Sequence, residues 1–412
     1  MTPRQRCVIL GAGVGGHFAV QALREAGYDG EATLVGAEGV RPYDRPPLSK
    51  AFLQGAKTAD GLFFKPPEFY RELDVELRLE APVERVDIES HRLVLSGGGS
   101  MPFDTLLIVT GASPIRLRQP GFDLPGVRYL RSLADAEALR ADLQRAGRVL
   151  VVGAGFIGSE VTASARALGR EVTLVDLLEA PMVRAIGDEL GRRYAELHRS
   201  HGVDLRLGAS VVELRGDGHV EEAVLADGES LACDLVVVGV GVRPETSVVA
   251  GTPVAVGRGI LVDEHGATNV PGVYAAGDVA EWVHPALGRR LLVEHFDNAG
   301  MQAASAARAV AGQPESYAPV PSFWSDQYDT TLQYYGYPIP WDAVVLRGDL
   351  DGFPVTAFYL AEGRVIAAAM VNRPREHRAA RRLIAAGAAV DPDALADPAT
   401  DLRALARGLP GE

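Results

Sequence analysis

A glycine-rich motif occurs twice in this chain, each time in the same surroundings. Residues 7–36 read CVILGAGVGGHFAVQALREAGYDGEATLVG, and residues 149–176 read VLVVGAGFIGSEVTASARALGREVTLVD. In each copy a short apolar run precedes G-x-G-x-x-G, a helical pattern follows, and a second apolar run comes after it. This strand–helix–strand context is the one in which the motif binds a dinucleotide pyrophosphate at a helix N-terminus. The chain is therefore predicted to hold two dinucleotides.

The glycines of each motif have separate roles. The first permits a tight turn, the second lets the backbone approach the pyrophosphate, and the third lets the helix pack closely on the strand. They are Gly11, Gly13 and Gly16 in the first copy and Gly153, Gly155 and Gly158 in the second, where Phe156 and Ile157 complete the motif.

The residue that follows the second apolar run predicts how the ribose is bound. Asp176 stands there in the second copy, where its carboxylate can accept hydrogen bonds from both ribose hydroxyls and would repel a 2′-phosphate. No arginine occupies positions 177–179, so we expect NADH rather than NADPH. In the first copy the second apolar run is followed by Gly36-Ala37-Glu38. Glu38 is the candidate for binding the ribose hydroxyls, although it comes two residues later than Asp176 does in the second copy.

Composition excludes several classes of protein. The 412 residues predict two or three domains, and the net charge of -13 argues against nucleic acid or an anionic membrane as a partner. No apolar run approaches the roughly 20 residues of a membrane helix, and we expect no signal peptide. The two cysteines, Cys7 and Cys233, share no metal-binding or disulfide spacing, so we expect no metal site and a cytoplasmic location.

Further elements follow from the periodicity of the remaining chain. Helices are predicted over residues 135–145 and 301–310, and the composition shifts near 317–322, where we place the start of a separate α+β domain. Strands are predicted at 74–79, 92–95, 103–111, 235–240, 259–262, 272–276, 343–346, 355–359 and 365–370.

The segment RPYDRPPLSK at residues 41–50 has three prolines and is predicted to be rigid and non-helical. One interpretation is a stiff surface loop. The other is a loop that holds Lys50 in a fixed place near a cofactor. The residues alone leave both open.

Several motifs together resemble a known family. They are the two G-x-G-x-x-G units, the strand end Thr110-Gly111, the pair Gly277-Asp278, RPYDRPPLSK, FIGSE at 156–160, EHFDN at 294–298 and FWSDQ at 323–327. Over about residues 5–385 the chain resembles the NADH-dependent ferredoxin reductases of bacterial monooxygenase and ring-hydroxylating dioxygenase systems, which are two-dinucleotide flavoproteins.

The resemblance implies an α/β fold with two Rossmann-like dinucleotide-binding domains, the second inserted in the first, plus a C-terminal α+β domain, as in glutathione reductase-like architectures. The FAD domain would comprise residues 1–113 and 244–320, and the NADH domain residues 114–243. Residues 321–412 would cover the flavin and contribute to ferredoxin docking.

The resemblance also implies roles for single residues. Lys50, paired with Glu160, would lie by the flavin N5, and relatives usually carry an acidic residue where this chain has Ala37. The FAD side would be formed by Gly11, Gly13, Gly16, Glu38, Arg45, Lys50, Thr110, Gly111, Arg131, Asp278, His295 and Trp324. The NADH side would be formed by Gly153, Gly155, Phe156, Ile157, Gly158, Glu160, Asp176 and Gly241.

The function implied is transfer of electrons from NADH through FAD to a [2Fe–2S] ferredoxin that serves a downstream oxygenase. A rubredoxin or quinone reductase, or a non-enzymatic flavoprotein that senses NADH, are the alternatives. A disulfide reductase is rejected because residues 36–62 contain no cysteine, and a thiol peroxidase because none lies near position 45. The oligomeric state is left open between a monomer and a weak homodimer.

Basic residues concentrate at 373–382, RPREHRAARR, in an otherwise acidic chain. Arg375, Arg378 and Arg382 have i, i+3, i+7 spacing, which predicts one helix face, and Arg381 lies beside it. The patch is either a solvated helix face or a surface that steers an acidic ferredoxin.

Overall fold

The computed structural model describes residues 4–349 and 351–409, which divide into two compact units. The first unit contains the residues up to Asp44, then Asp60–Ser113 and Arg243–Pro321. The second contains Arg45–Ala59, Pro114–Val242 and the residues from Ser322 onward. The segment around Lys50 thus belongs to the second unit, whereas the three-domain division assigned it to the FAD domain; that division remains a prediction.

The helices and strands are numbered in chain order. The strands are β1 (Arg6–Leu10), β2 (Glu31–Val35), β3 (Val75–Arg78), β4 (Val83–Asp87), β5 (Arg92–Leu95), β6 (Ser100–Pro102), β7 (Thr105–Ile108), β8 (Ala112–Pro114), β9 (Val127–Tyr129), β10 (Arg148–Val152), β11 (Glu171–Asp176), β12 (Asp204–Leu207), β13 (Val211–Arg215), β14 (Glu222–Leu225), β15 (Ser230–Ala232), β16 (Leu235–Val238), β17 (Val242–Pro244), β18 (Ile260–Val262), β19 (Val273–Ala275), β20 (Ala280–His284), β21 (Arg289–Leu292), β22 (Ser322–Gln327), β23 (Thr330–Gly336), β24 (Ala343–Gly348), β25 (Val355–Ala361) and β26 (Arg364–Val371). The helices are α1 (Val14–Glu25), α2 (Pro67–Glu72), α3 (Leu133–Leu143), α4 (Phe156–Ala167), α5 (Val183–Ser200), α6 (Phe296–Val310), α7 (His377–Ala385), α8 (Pro392–Ala396) and α9 (Leu402–Leu405).

The first unit is built on a parallel sheet with the strand order β19-β7-β1-β2-β3. Its central strands are almost continuously apolar because parallel strands covered on both faces have no solvent side. Ile9, Leu34 and Leu107 are fully buried in its core, together with apolar residues of α1 and α6. The strand–helix–strand prediction for residues 7–36 is confirmed.

The second unit contains another parallel sheet, in the order β12-β11-β10-β16-β9, and an antiparallel sheet in the order β22-β23-β26-β25-β24. Helix α7 packs on the antiparallel sheet through Leu383 and Ile384, which are buried. The predicted α/β fold with a C-terminal α+β part is therefore confirmed.

Several helices differ from the sequence prediction. Helix α2 has no counterpart in it, and α3 begins at Leu133 rather than at 135. Helix α6 begins at Phe296 rather than at 301, since Asp297 places a carboxylate in its first turn, where the helix dipole favours negative charge. Helix α5 has no counterpart in the prediction. Gly187 interrupts it near its start with a φ of 74°.

The described residues, 4–349 and 351–409, include no helix with the length and apolar character needed to cross a membrane.

Candidate functional site

Sheet topology brings together most of the residues predicted to bind the first dinucleotide. Strands β1, β7 and β19 are parallel neighbours, so their carboxyl ends lie at one edge of the sheet. The glycine loop follows β1, Thr110-Gly111 follows β7, and Asp278 follows β19. The carboxyl edge is where open α/β sheets bind their ligands.

The glycine loop of the first unit leaves room for a pyrophosphate. A Cβ at Gly11, whose φ is 128°, would lie 2.2 Å from the carbonyl oxygen of Val109, and one at Gly16 would lie 2.1 Å from the oxygen of Gly11. A Cβ at Gly13 would meet no atom within 4 Å. Helix α1 starts with no side-chain cap and no acidic residue in its first turn. Its N-terminal N–H groups fit the phosphates of FAD.

Glu38 has a defined position beyond the end of β2. It is half-buried, and its Oε2 accepts a hydrogen bond of 2.7 Å from the Tyr43 hydroxyl, while Ala37 is exposed. The carboxylate is thus oriented by a neighbouring ring. Its contact with the adenosine ribose remains a prediction.

Three other predicted FAD residues have distinct settings. The Thr110 hydroxyl donates to the carbonyl oxygen of Glu245 at 2.8 Å, so this strand end ties together two segments of the first unit. Asp278 is 9% exposed in a short helical turn, Gly277–Val279. His295 is half-buried at the N-cap of α6.

The second glycine loop has the same construction. A Cβ at Gly153 would lie 2.5 Å from the oxygen of Gly239, and one at Gly158 would lie 1.8 Å from the oxygen of Gly153. At Gly155 the nearest atom would be 4.0 Å away. Helix α4 also starts without a side-chain cap or an acidic residue in its first turn. The loop therefore fits a second pyrophosphate.

Asp176 is the last residue of β11, beside this loop. Its Oδ2 accepts a hydrogen bond of 2.5 Å from the N–H of Ala154, and its Oδ1 accepts one of 2.7 Å from Leu178. Both contacts orient the carboxylate at the carboxyl edge of the second parallel sheet. Gly241, with a φ of 115°, follows the neighbouring strand β16.

Phe156 and Ile157, which complete the second glycine motif, differ in exposure. Phe156 is half-buried and packs edge-to-face against Phe323, with 4.7 Å between ring centroids. Ile157 is 44% exposed, which is unusual for a large apolar side chain beside a glycine loop. An apolar group exposed here is available to a bound nucleotide.

Lys50 and Glu160 form the predicted pair, although 110 residues separate them. Lys50 caps a short helical turn, Pro46–Ser49, and its Nζ lies 3.2 Å from Oε1 of Glu160. Asp326 lies 4.0 Å from the same ammonium, and the Trp324 ring centroid lies 5.9 Å from it. The prolines of RPYDRPPLSK thus hold a lysine in a fixed place, which favours the second interpretation of that segment.

Glu160 lies in an unusual environment for a carboxylate. Its side chain is 4% exposed, and burial raises its pKa against the opposing effect of the Lys50 charge. Two hydroxyls also donate to it, Ser49 at 2.5 Å and Ser325 at 2.8 Å. Neither serine was predicted from the sequence, although both lie within motifs that were recognised there.

Arg45 and Arg131, both predicted on the FAD side, contact one another. The Arg45 guanidinium donates to the carbonyl oxygen of Arg131 at 3.0 Å. Asp135 accepts hydrogen bonds from the N–H groups of Arg131 and Ser132, which caps helix α3. Trp324 is half-buried on β22.

The prediction that Arg375, Arg378 and Arg382 share one helix face is wrong for Arg375. Pro374 and Arg375 belong to a separate helical turn, Pro374–Glu376, and α7 begins only at His377. Arg378 and Arg382 remain on α7 and line a cavity of about 330 Å³ with Arg403 of α9. Arg375, Arg378 and Arg381 are exposed.

Both cysteines are unsuited to redox chemistry. Cys7 lies in β1 and Cys233 precedes β16, and both are free and buried. Burial raises the pKa of each thiol to about 12, so neither forms the nucleophilic thiolate near neutral pH.

Comparison with known protein families supports the fold and the two nucleotide-binding loops described above. Residues 5–309 match the pyridine nucleotide-disulphide oxidoreductases, and residues 322–406 match the reductase C-terminal family. The chain is therefore an oxidoreductase of the FAD-binding, NAD(P)-dependent class. Within it, the chain belongs to the ferredoxin reductase family.

Two curated relatives and one solved structure support that placement. The chain is 39% identical to a ferredoxin–NAD(P)(+) reductase of Sphingomonas sp, over 96% of both chains. It is 38% identical to the ferredoxin–NAD(+) reductase component of the anthranilate 1,2-dioxygenase system of Burkholderia cepacia, over 96% of this chain and 98% of that one. The reductase in the covalent putidaredoxin reductase–putidaredoxin complex is 32% identical, with a TM-score of 0.95, over 99% of this chain and 100% of that chain.

Proposed function

We propose that this protein takes electrons from NADH and passes them through bound FAD to a [2Fe–2S] ferredoxin, which feeds a monooxygenase or a ring-hydroxylating dioxygenase. Relatives named as ferredoxin reductase components of dioxygenase systems support this proposal. So does the match to a reductase solved in complex with putidaredoxin.

The observation that carries the proposal is the state of the cysteines. A member of the disulphide oxidoreductase family that reduced disulfides would need a reactive thiol pair. The chain has only Cys7 and Cys233, both buried with a pKa of about 12. The electrons must therefore leave for an acceptor outside the chain.

The chain's own residues bind and orient the cofactors. Bound FAD supplies the chemistry that accepts a hydride and releases electrons singly. The uncapped N-terminus of α1 holds the FAD pyrophosphate, and that of α4 holds the NADH pyrophosphate. Asp176 accepts hydrogen bonds from the NADH ribose. Lys50, held in place by Glu160, would supply a positive charge beside the bound flavin.

The proposal is tested by the rate of ferredoxin reduction with each nicotinamide. We expect rapid reduction with NADH and at least about tenfold lower kcat/KM with NADPH, because Asp176 repels the 2′-phosphate. The control variant Asp176→Ala should lose most of this preference through a higher KM for NADH. A wild-type protein that binds FAD but reduces no [2Fe–2S] ferredoxin would contradict the proposal.

The other acceptors give different results in the same assay. A rubredoxin or quinone reductase would prefer those acceptors to every [2Fe–2S] ferredoxin tested. A protein that only senses NADH would be reduced by it, form a long-lived complex with the nicotinamide, and pass electrons slowly to all three acceptors.

We propose that the arginines of α7 dock the ferredoxin. Arg378 and Arg382 line a cavity with Arg403 in a chain whose net charge is -13. Within the described part of the chain, none of these three guanidiniums forms a salt bridge with a carboxylate. Such a local positive patch attracts an acidic partner and raises its association rate.

The double variant Arg378→Glu/Arg382→Glu is expected to reduce ferredoxin-dependent cytochrome c reduction about tenfold or more at low salt, with a smaller effect at high salt. Reduction of ferricyanide, which needs no docking protein, should stay at the wild-type rate. The control Arg199→Glu changes an exposed arginine on α5 and should alter neither activity. Wild-type rates in both assays for the double variant would rule out α7 as the dock.

We also propose a cytoplasmic location, in keeping with a chain that has two cysteines, both free.

A further inference from the structure

A row of buried polar side chains leads away from Glu160 within the second unit. The Ser325 hydroxyl donates to Oε1 of Glu160 at 2.8 Å, and Nε2 of Gln327 donates to Oγ of Ser325 at 3.2 Å. Ser325 and Gln327 are two residues apart on β22, so they share one face of that strand. Their exposures are 0% and 1%. The FWSDQ motif therefore contributes more than Trp324.

The contacts of Gln327 determine how its amide is oriented. Its nitrogen also lies 3.4 Å from the sulfur of Met182, and a thioether can only accept a hydrogen bond. The amide nitrogen must therefore face Ser325 and Met182, which turns Oε1 away from both. That oxygen is buried and accepts no hydrogen bond from the residues that the structure describes. A buried carbonyl oxygen of this kind calls for a donor.

His198 on α5 is the matching group. Its ring is fully buried, and Nδ1 lies 2.9 Å from the Tyr328 hydroxyl. Nε2 is also buried, with no hydrogen bond to any part of the chain that the structure describes. Burial lowers the pKa of His198 to about 4, so the ring is neutral and carries a single N–H. Among its neighbours, Gln327 acts in the opposite direction and raises that pKa, as an acceptor for a ring N–H does.

Only one tautomer of His198 suits both neighbours. With the proton on Nδ1, the lone pair of Nε2 would face the oxygen of Gln327. With the proton on Nε2, the ring donates toward that oxygen, and Nδ1 accepts from Tyr328. Burial raises the pKa of Tyr328, so its hydroxyl keeps the proton that this arrangement requires.

We propose that four side chains form one hydrogen-bond chain in which every donor is directed toward the carboxylate of Glu160: Tyr328, His198, Gln327 and Ser325. Donors aligned in this way polarise one another and favour the ionised form of the acceptor at the end. The four are positioning residues that keep Glu160 charged beside Lys50. The inference rests on the proposed function only for the use the enzyme makes of that pair.

Among the described residues, four charged or titratable groups act on these side chains, and one of them, Arg166, lowers the pKa of Tyr328 against the effect of burial. Lys50 faces Glu160 at 3.2 Å, and Asp326 lies 4.0 Å from Lys50. At the far end His201 stacks on Tyr328 with 3.7 Å between ring centroids, and its charge lowers the pKa of His198 further.

The first test is the tautomer of His198 in the wild-type holoprotein. Nitrogen-15 NMR of histidine-labelled protein distinguishes protonated from unprotonated ring nitrogens, and the variant His198→Gln assigns the signals. We expect a proton on Nε2 and none on Nδ1 near neutral pH. A proton on Nδ1, or on both nitrogens, would overturn the proposal.

The second test follows the protonation of Glu160 by infrared spectroscopy. The carbonyl stretch of the protonated carboxyl is titrated in the holoprotein and identified by its loss in Glu160→Gln. Gln327→Met should raise the pKa of Glu160 by about one unit. Tyr328→Phe, a milder change, should raise it less. Tyr194→Phe is the matched control, because this hydroxyl on α5 is buried without a hydrogen bond. It should leave the pKa unchanged.

If the pKa of Glu160 is unchanged in both Gln327→Met and Tyr328→Phe, the hydrogen-bond chain does not act on Glu160 and the proposal is wrong. The ferredoxin assay separates this outcome from failure of the proposed function. A protein with the expected tautomer and pKa shifts that reduces no ferredoxin contradicts only the function. Normal ferredoxin reduction with a proton on Nδ1 of His198 contradicts only the hydrogen-bond chain.

Discussion

Replacing Gly13 with valine is expected to release FAD while the first unit stays folded. A Cβ at this position meets no atom of the described chain within 4 Å, and the backbone φ of -89° suits any L-residue. The uncapped start of α1 faces this space, so a side chain there competes with the pyrophosphate and with nothing in the protein. We expect the affinity for FAD to fall roughly a hundredfold or more. Flavin absorbance per polypeptide and urea unfolding measure the two effects.

Two other glycines make this experiment selective. Gly97 lies in the turn between β5 and β6, and a Cβ there also meets no described atom within 4 Å, so Gly97→Val should retain both flavin and stability. Gly155→Val should keep FAD and weaken NADH binding, because Gly155 begins the second nucleotide helix. Full flavin occupancy in Gly13→Val would show that the cradle is assigned to the wrong loop.

The change Glu160→Gln is expected to slow flavin reduction by NADH about tenfold or more. The amide keeps the shape of the side chain but removes the charge that holds Lys50, whose side chain is 15% exposed. The double variant Glu160→Gln/Lys50→Met completes a cycle that isolates the interaction. If the effects of Glu160→Gln and Lys50→Met on the rate of flavin reduction simply add in the double variant, the two residues do not act as a pair.

The same pair has a defined pH dependence. Burial raises the pKa of Glu160 in the folded protein above its value in the unfolded chain. The folded protein therefore binds this proton more tightly than the unfolded chain does. The resulting contribution to the free energy of unfolding is fully present below the unfolded pKa and is lost as the pH rises through the folded pKa. The wild type should therefore lose stability relative to Glu160→Gln as the pH rises, which urea unfolding at several pH values measures.

The residues that sequence alone identified belong to local patterns. Gly11, Gly13 and Asp176 occupy fixed places in a strand–helix–strand unit, so spacing suffices to find them. The role expected for Lys50 came from a proline-rich loop together with family resemblance. Its partner Glu160 was reached by resemblance alone, since no pattern links residues 110 positions apart.

Other features have no local signal. Ser49, Gln327 and His198 meet Glu160 or its neighbours only after the chain has folded, across separations of more than a hundred residues for Ser49 and Gln327. The error at Arg375 has a different cause. Helical spacing was extended back from α7 to Arg375, which lies in a separate helical turn, Pro374–Glu376. Helix α5 was not predicted, although its buried residues Leu190, Tyr194 and His198 recur every four positions.

The division of the chain has a consequence for how the protein is made. The polypeptide passes between the two units after Asp44, Ala59, Ser113, Val242 and Pro321. On the ribosome, the sheet that begins with β1 cannot gain its edge strand β19 until more than 260 further residues have been translated. Lys50 likewise emerges long before Ser325. Synthesis therefore cannot complete one unit before starting the next, and a fragment cut at any single point lacks part of the first unit or part of the second.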